Sequence, residues 1–282
     1  MRKLISLDEN WTLSFPKGER LAEKVTLPHT WNAVDGMDGN GSYLRTTGVY
    51  RCTFLKPEQP LEGGRVYVEV LAAALAAVVK VNGTVAVTHE GGFSAFRADI
   101  TDLCKEGNNE MTIEVSNEDT PSMYPASADF TFYGGLYRGV NLISVPHTHF
   151  DLDYYGGSGI KVTPKPTEDG GATFEIESFV TNQEDCFTVM YSIEDACGCE
   201  VAAAVRPADD TAVTIYVPDA KLWSMDEPNL YTVVARLQKN NETYDEIHVN
   251  TGVRSYSVTP DGGFFINNKA VSLRGVSRHQ DR

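Results

Sequence analysis

Apolar residues recur at every second position through most of this sequence, and no stretch sustains a 3.6-residue period over three turns. Residues 48–55 (GVYRCTFL) alternate, with Val49, Arg51, Thr53 and Leu55 on one side and Tyr50, Cys52 and Phe54 on the other. Residues 65–70 (RVYVEV) and 110–116 (EMTIEVS) behave alike, the latter after a Gly107-Asn108-Asn109 turn. Within residues 78–87 (VVKVNGTVAV), Asn82-Gly83 reads as a two-residue hairpin turn, because both residue types tolerate positive φ. Residues 72–77 are alanine-rich and helix-prone by propensity alone. Their alternating flanks and the Asn-Gly that follows predict a strand or bend instead. Residues 98–103 suggest one helical turn or a bend. The pattern predicts an all-β chain.

A second set of strands begins after about residue 150. Residues 151–159 (DLDYYGGSG) are turn-rich, and strands are expected at 160–164, 172–181, 187–195, 212–217, 230–239 and 244–249. Turn signals at this spacing suit a sandwich of immunoglobulin type, although the cysteines do not reproduce the disulfide of antibody domains. Residues 262–276 predict a hairpin around Asn267-Asn268, followed by a strand. The chain of 282 residues is long enough for two domains. The expected division is 1–150, 151–257 and a closing segment, 258–282, which stops without a cap or tail and suggests a cut chain.

Charge narrows the partners. Asp and Glu number 39 against 24 Lys and Arg, a formal charge of −15, which repels phosphate backbones and anionic lipid. Nucleic acid and membrane are therefore not expected as partners, while a neutral sugar is indifferent to this field. Asp8 and Glu9 stand where a secretory leader needs its apolar centre. The longest apolar run, residues 70–79, is ten residues long, far short of a membrane span. Five cysteines, Cys52, Cys104, Cys186, Cys197 and Cys199, lack framework spacing. They are expected as free thiols in a cytoplasmic protein.

Seven elements in order resemble family 2 glycoside hydrolases. They are LPHTWN (27–32), GVYRCTF (48–54), VNG (81–83) with GGFSAF (91–96), DFTFYGGLYRGV (129–140), LWSMDEPNLY (222–231), TGVRS (251–255) and LRGVSRHQ (273–280). A lone VNG is merely a hairpin; the ordered set is specific. The resemblance implies a jelly-roll sugar-binding sandwich, then an immunoglobulin-like sandwich, then the lead-in to a (β/α)8 catalytic barrel. Within the family, RHQD at 278–281 and HFDLDYYGG at 149–157 tilt the expectation to a β-galactosidase, with β-glucuronidase and β-mannosidase as alternatives.

The family's reaction, retaining glycoside hydrolysis, needs an acid/base and a nucleophilic carboxylate roughly 5–5.5 Å apart. The resemblance places both on late barrel strands, after residue 282, so no catalytic residue and no hydrolysis are expected of this chain alone. Asn-Glu, the dipeptide that carries the family's acid/base, occurs at Asn109-Glu110, Asn117-Glu118 and Asn241-Glu242, each read as a solvated turn or strand end. What remains is substrate positioning. The resemblance implies that Asp129 reaches towards the barrel to hold the sugar, in some members through a cation, so that Mg2+ or Na+ belongs to the intact enzyme and no cofactor to this chain. His279 aligns with a histidine ending the first barrel strand, where it can bond a sugar hydroxyl, and Arg278 beside it is structural. Asn40 is a weaker candidate for a loop asparagine that touches substrate, a Gly-rich turn being the simpler reading.

Other features read as structure. Asp35 and Asp38 lack a calcium-loop register. His147 and His149 lack a third ligand nearby and are expected to pack at the domain boundary. Trp11, Trp31 and Trp223 can stack on sugars, but their contexts favour packing. Tyr133 and Tyr137 divide between inner face and rim. The competing readings are a free-standing carbohydrate-binding module, against which the tail argues, and a scaffold that supports the barrel and makes homo-oligomer contacts.

Overall fold

The computed structural model describes residues 1–35, 43–58, 63–118, 133–183 and 186–277. Among these the regular structure is antiparallel strand apart from one 3₁₀ turn, and the chain falls into two compact units: Lys3–Val145, and Pro146–Val276 with Met1–Arg2.

The first unit is a jelly-roll sandwich. One sheet of its described residues runs Glu23–Val25, Trp11–Ser14, Thr47–Leu55, Asn108–Ser116, Ala76–Val81, Thr84–Glu90. The other runs Lys3–Ser6, Val140–Val145, Arg65–Val70, Phe96–Asp99. Alternation does what period two requires: Tyr50, Cys52 and Phe54 are buried while Arg51, Thr53 and Leu55 face water. Strand Asn108–Ser116 answers with Asn109, Met111, Ile113 and Val115 inside. Trp11, Leu13, Val68 and Leu142 join the same core. Strand Arg65–Val70 lies between two neighbours and is buried on both faces, so that even Glu69 is only 6% exposed. Arg97 Nε donates to that carboxylate at 2.8 Å and Asn141 Nδ2 at 2.9 Å, which satisfies a charge otherwise costly to bury.

Turns follow the expected chemistry. Asn82 and Gly83 take φ of 50° and 84° between Ala76–Val81 and Thr84–Glu90, the mirror-image turn that suits strand twist. The alanine-rich stretch is bend, then strand from Ala76, and Thr101–Leu103 forms one 3₁₀ turn.

The second unit is an immunoglobulin-like sandwich. A sheet of Ile160–Pro166, Ala172–Ser178 and Ala212–Val217 faces one of Glu200–Pro207, Thr188–Glu194, Tyr231–Lys239 and Glu242–Thr251. Phe174, Tyr191, Val233 and Leu237 fill the space between. Three findings differ from the sequence reading. The strand expected over 172–181 stops at Ser178, and Val180–Thr181 pairs instead with His149–Phe150, which draws residues 146–150 into the second unit. Glu200–Pro207 is an edge strand that alternation did not mark, because its centre is Ala202-Ala203-Ala204 and its burial is shallow. Tyr256–Thr259, Gly263–Ile266 and Lys269–Val271 form a small sheet that clusters with this unit, its hairpin turning at Asn267 and Asn268, φ 48° and 61°.

Candidate functional site

The three residues to which the sequence assigns a role in binding sugar, Asn40, Asp129 and His279, lie outside the described residues, as do Asp38 and Arg278. The structure describes what stands on either side of the first two. Residues 35 and 43–44 flank the segment with Asn40; residues 117–118 and 133–134 flank the segment with Asp129. These four chain ends meet on one buried polar network.

At its centre Asn32, 1% exposed, accepts at Oδ1 from Gly134 N at 2.7 Å and from Asn117 Nδ2 at 3.2 Å. Its Nδ2 donates to Asp35 Oδ2 at 2.7 Å and Leu44 O at 2.9 Å. Asn117, fully buried, donates to Leu44 O at 3.1 Å and accepts from Thr46 N at 2.8 Å. Asp35 accepts from Leu44 N at 2.8 Å and pairs with Arg20. Burial raises the Asp35 pKa, yet the bonds from Leu44, Asn32 and Arg20 outweigh it and hold the carboxyl below its ordinary range. Both oxygens are engaged by protein donors, so Asp35 is a structural tie. Among the described residues no group of three or more His, Cys, Asp or Glu is placed to hold a metal.

The paired glycines of YGGLYR have a packing reason. A Cβ at Gly134 would overlap the Trp31 ring, and one at Gly135, φ 132°, would stand 2.5 Å from His29 O and 2.7 Å from Tyr50 Oη. Trp31 is 2% exposed, stacks edge-on against Phe15 and donates from Nε1 to Leu44 O. Trp11 is wholly buried. Trp223 is half-buried under the Arg254 guanidinium, 4.8 Å from the ring centre. The His29 ring meets Tyr50 Oη at 2.9 Å, and burial lowers its pKa. Tyr43 meets Tyr133 edge-on at 6.3 Å beside the network, while Tyr137 donates to Gly92 O under Arg138.

The Asn-Glu dipeptides have structural duties. Asn109 ties its own turn through Lys105 and Gly107, Asn117 belongs to the network while Glu118 pairs with Lys17, and Asn241, φ 64°, turns the hairpin before Glu242. His149 is fully buried, its Nδ1 against Pro146 O at 2.8 Å and its Nε2 against Thr181 Oγ1 at 3.2 Å. It packs, as its sequence context implied. In the second unit a cleft of ≈ 620 Å³ opens between Leu222–Asn229 and Ile266–Val271. Asn267, which lines it, donates from Nδ2 to Trp223 O at 2.9 Å. No aromatic ring lines it.

Comparison with known proteins decides what frame these residues belong to. The model for the sugar binding domain of glycosyl hydrolases family 2 matches residues 3–146, and the model described as glycosyl hydrolases family 2 matches 158–254. This chain belongs to glycosyl hydrolase family 2. The crystal structure of an FMN-binding β-glucuronidase from Facaelibacterium prausnitzii L2-6 superposes with a TM-score of 0.97 at 82% identity, covering 100% of this chain and 44% of that one. A β-glucuronidase of Bacteroides fragilis is 30% identical over 100% of this chain and 42% of its own length. A β-galactosidase of Thermoanaerobacter pseudethanolicus is 29% identical over 97% of this chain and 37% of its own length. The family 2 chain thus spans less than half of each of these relatives. Its jelly roll and immunoglobulin-like sandwich are the glycosidase architecture that the ordered motifs implied.

Proposed function

We propose that this chain is the substrate-positioning front of a retaining exo-β-glycosidase, and that the parent enzyme is a β-glucuronidase. The observation that carries the second clause is 82% identity, along the whole chain, to a protein named as a β-glucuronidase. The β-galactosidase expected from RHQD and HFDLDYYGG keeps the support of a 29% identical relative, which is weaker. In this reading the two catalytic carboxylates stand on a barrel beyond these residues. Asp129 and Asn40 reach the sugar from the jelly roll, and His279 from the first barrel strand. The network of Asn32, Asp35 and Asn117 supports the first two by fixing where their segments leave the sandwich, and a fixed origin lowers the entropy lost when substrate is held.

A paired assay tests this: nitrophenyl β-glucuronide and β-galactoside, each offered to the full-length protein and to the chain ending at residue 282. The expected result is glucuronide cleavage by the full-length protein and none by the short chain. Preference for the galactoside overturns the choice of sugar. Turnover by the short chain overturns the placing of the carboxylates.

A second reading is favoured by the same relative, which is named as FMN-binding: the parent protein binds a flavin mononucleotide. Glycoside hydrolysis transfers no electrons, so the flavin has no part in bond cleavage here.

A further inference from the structure

The chain ends that meet around Asn32 are also held from outside the network, and by a single turn. Residues 15–20 (FPKGER) lie in the link between the paired strands Trp11–Ser14 and Glu23–Val25. The base of the turn is fixed. Phe15 is 6% exposed and meets the Trp31 ring edge-on at 5.8 Å and 88°. Gly18 N donates to Phe15 O at 3.0 Å, with φ of +75° at Gly18. Pro16 and Gly18 thus take the second and fourth places of a β-turn, where both residue types are favoured.

The three charged residues of this turn hold different parts of the site. Arg20 donates to Asp35, the last described residue before the segment with Asn40, and to Trp31 O. Thr46, soon after that segment ends, donates from Oγ1 to Glu19. Lys17 pairs with Glu118, the last described residue before the segment with Asp129. The two sides are also joined directly, since Asn117 N donates to Thr46 O at 3.2 Å and Thr46 N to Asn117 Oδ1 at 2.8 Å. These ties differ in strength. The Asp35 side chain is 2% exposed, whereas those of Lys17 and Glu118 are 64% and 38% exposed, so water weakens the second pair.

We propose that Lys17, Glu19 and Arg20 are positioning residues for the glycoside: their turn couples the segments of Asn40 and Asp129, so that both are set against the sugar together. The proposal rests on the reading that Asn40 and Asp129 reach the sugar, and adds what registers one against the other. The three residues act through what they hold, not on the sugar itself. Two origins fixed by one turn leave fewer independent motions to arrest when substrate binds.

The test is steady-state kinetics of the full-length protein on nitrophenyl β-glucuronide, or on the β-galactoside if that is the one cleaved. Arg20→Gln is expected to raise KM about tenfold with kcat kept, the mark of lost binding common to ground and transition states. Arg20→Lys, which keeps a charge beside Asp35, should recover most of that loss. Lys17→Gln, an exposed change that the fold tolerates, should raise KM about threefold. Background decides whether the segments are coupled. Asp129→Ala should itself raise KM, and in that variant Arg20→Gln should cost only about threefold, because part of what it disturbs is already gone. A full tenfold effect in both backgrounds overturns the coupling. A fall in kcat with KM unchanged marks general damage and overturns the positioning role. Wild-type KM in both turn variants, with KM raised in Asp129→Ala, overturns the proposal and leaves the reading beneath it standing. Wild-type KM in both Asp129→Ala and Asn40→Ala overturns that reading, and the proposal with it.

Discussion

Arg2 and Asp245 stand 243 residues apart in sequence, and Arg2 donates to both Asp245 oxygens, from Nε at 3.1 Å and from Nη2 at 2.8 Å. Asp245 is fully buried and also accepts from Phe150 N at 3.0 Å, while Arg2 donates to Phe150 O at 3.0 Å. The second residue of the chain thus completes a polar site inside the unit formed by Pro146–Val276. Its removal strands a buried carboxylate. Arg2→Ala is expected to destabilise that unit by about 3 kcal/mol, with Asp245→Asn losing less because its amide still accepts from Phe150. Urea unfolding of the two variants checks the order.

The two glycine classes should separate on substitution. Gly134→Ala drives a methyl into Trp31 and towards Asn117, and overpacking of this kind costs about 2 kcal/mol. Gly83→Ala meets no atom within 4 Å, and its penalty comes from φ of +84° alone, about 1 kcal/mol. Equal losses in denaturant midpoints would contradict the steric account of Gly134.

Acid should weaken the second unit through His149. Burial lowers its pKa below the ordinary 6.5, against smaller opposing contributions from Pro146 O and Asp245. Above pH 6.5 the imidazole is neutral in folded and unfolded chains alike, and this contribution to stability is whole. Below that value the unfolded chain takes up its proton first, so stability falls until the pH passes the depressed folded pKa. His149→Gln should flatten the slope in a series of thermal melts from about pH 7.5 to 5.

Thiol reagents should sort the cysteines. Cys186, Cys197 and Cys199 are exposed, whereas Cys52 is buried and its thiol is pushed up to about 12 by desolvation. Cys104, half-buried, is raised by the same cause. Three thiols are expected to react quickly with a disulfide reagent in native protein and two only on unfolding, since thiolate, not thiol, attacks. Fast labelling of Cys52, read by mass spectrometry, would contradict the packing of strand Thr47–Leu55.

Strands were legible in the sequence because one face of each sheet is dry and period two records it. The candidate site was less so. Asn117 continues the inward series Asn109, Met111, Ile113, Val115. A polar residue in register with buried ones was the available signal of a network. It was masked by reading Asn117-Glu118 only as a strand end. Asp245, in register with Ile247, carries the same mark, whereas Glu69 falls on the Arg65 and Tyr67 face of RVYVEV and carries none. No local pattern shows their partners, since Arg97 and Arg2 arrive from distant segments. Glu200–Pro207 escaped for the opposite reason: an edge strand centred on alanine has little burial to write into its sequence.

The pairing of Lys3–Ser6 with Val140–Val145, in which Lys3 stands opposite Ser144, sets the order in which this protein can be made. Hairpins such as Asn82-Gly83 close as soon as they are synthesised, over two residues of turn. Lys3–Ser6 lacks this partner until Val140–Val145 has left the ribosome, and Arg2 waits a further hundred residues for Asp245. Residues made well ahead of their partners are thus among the last to find their places.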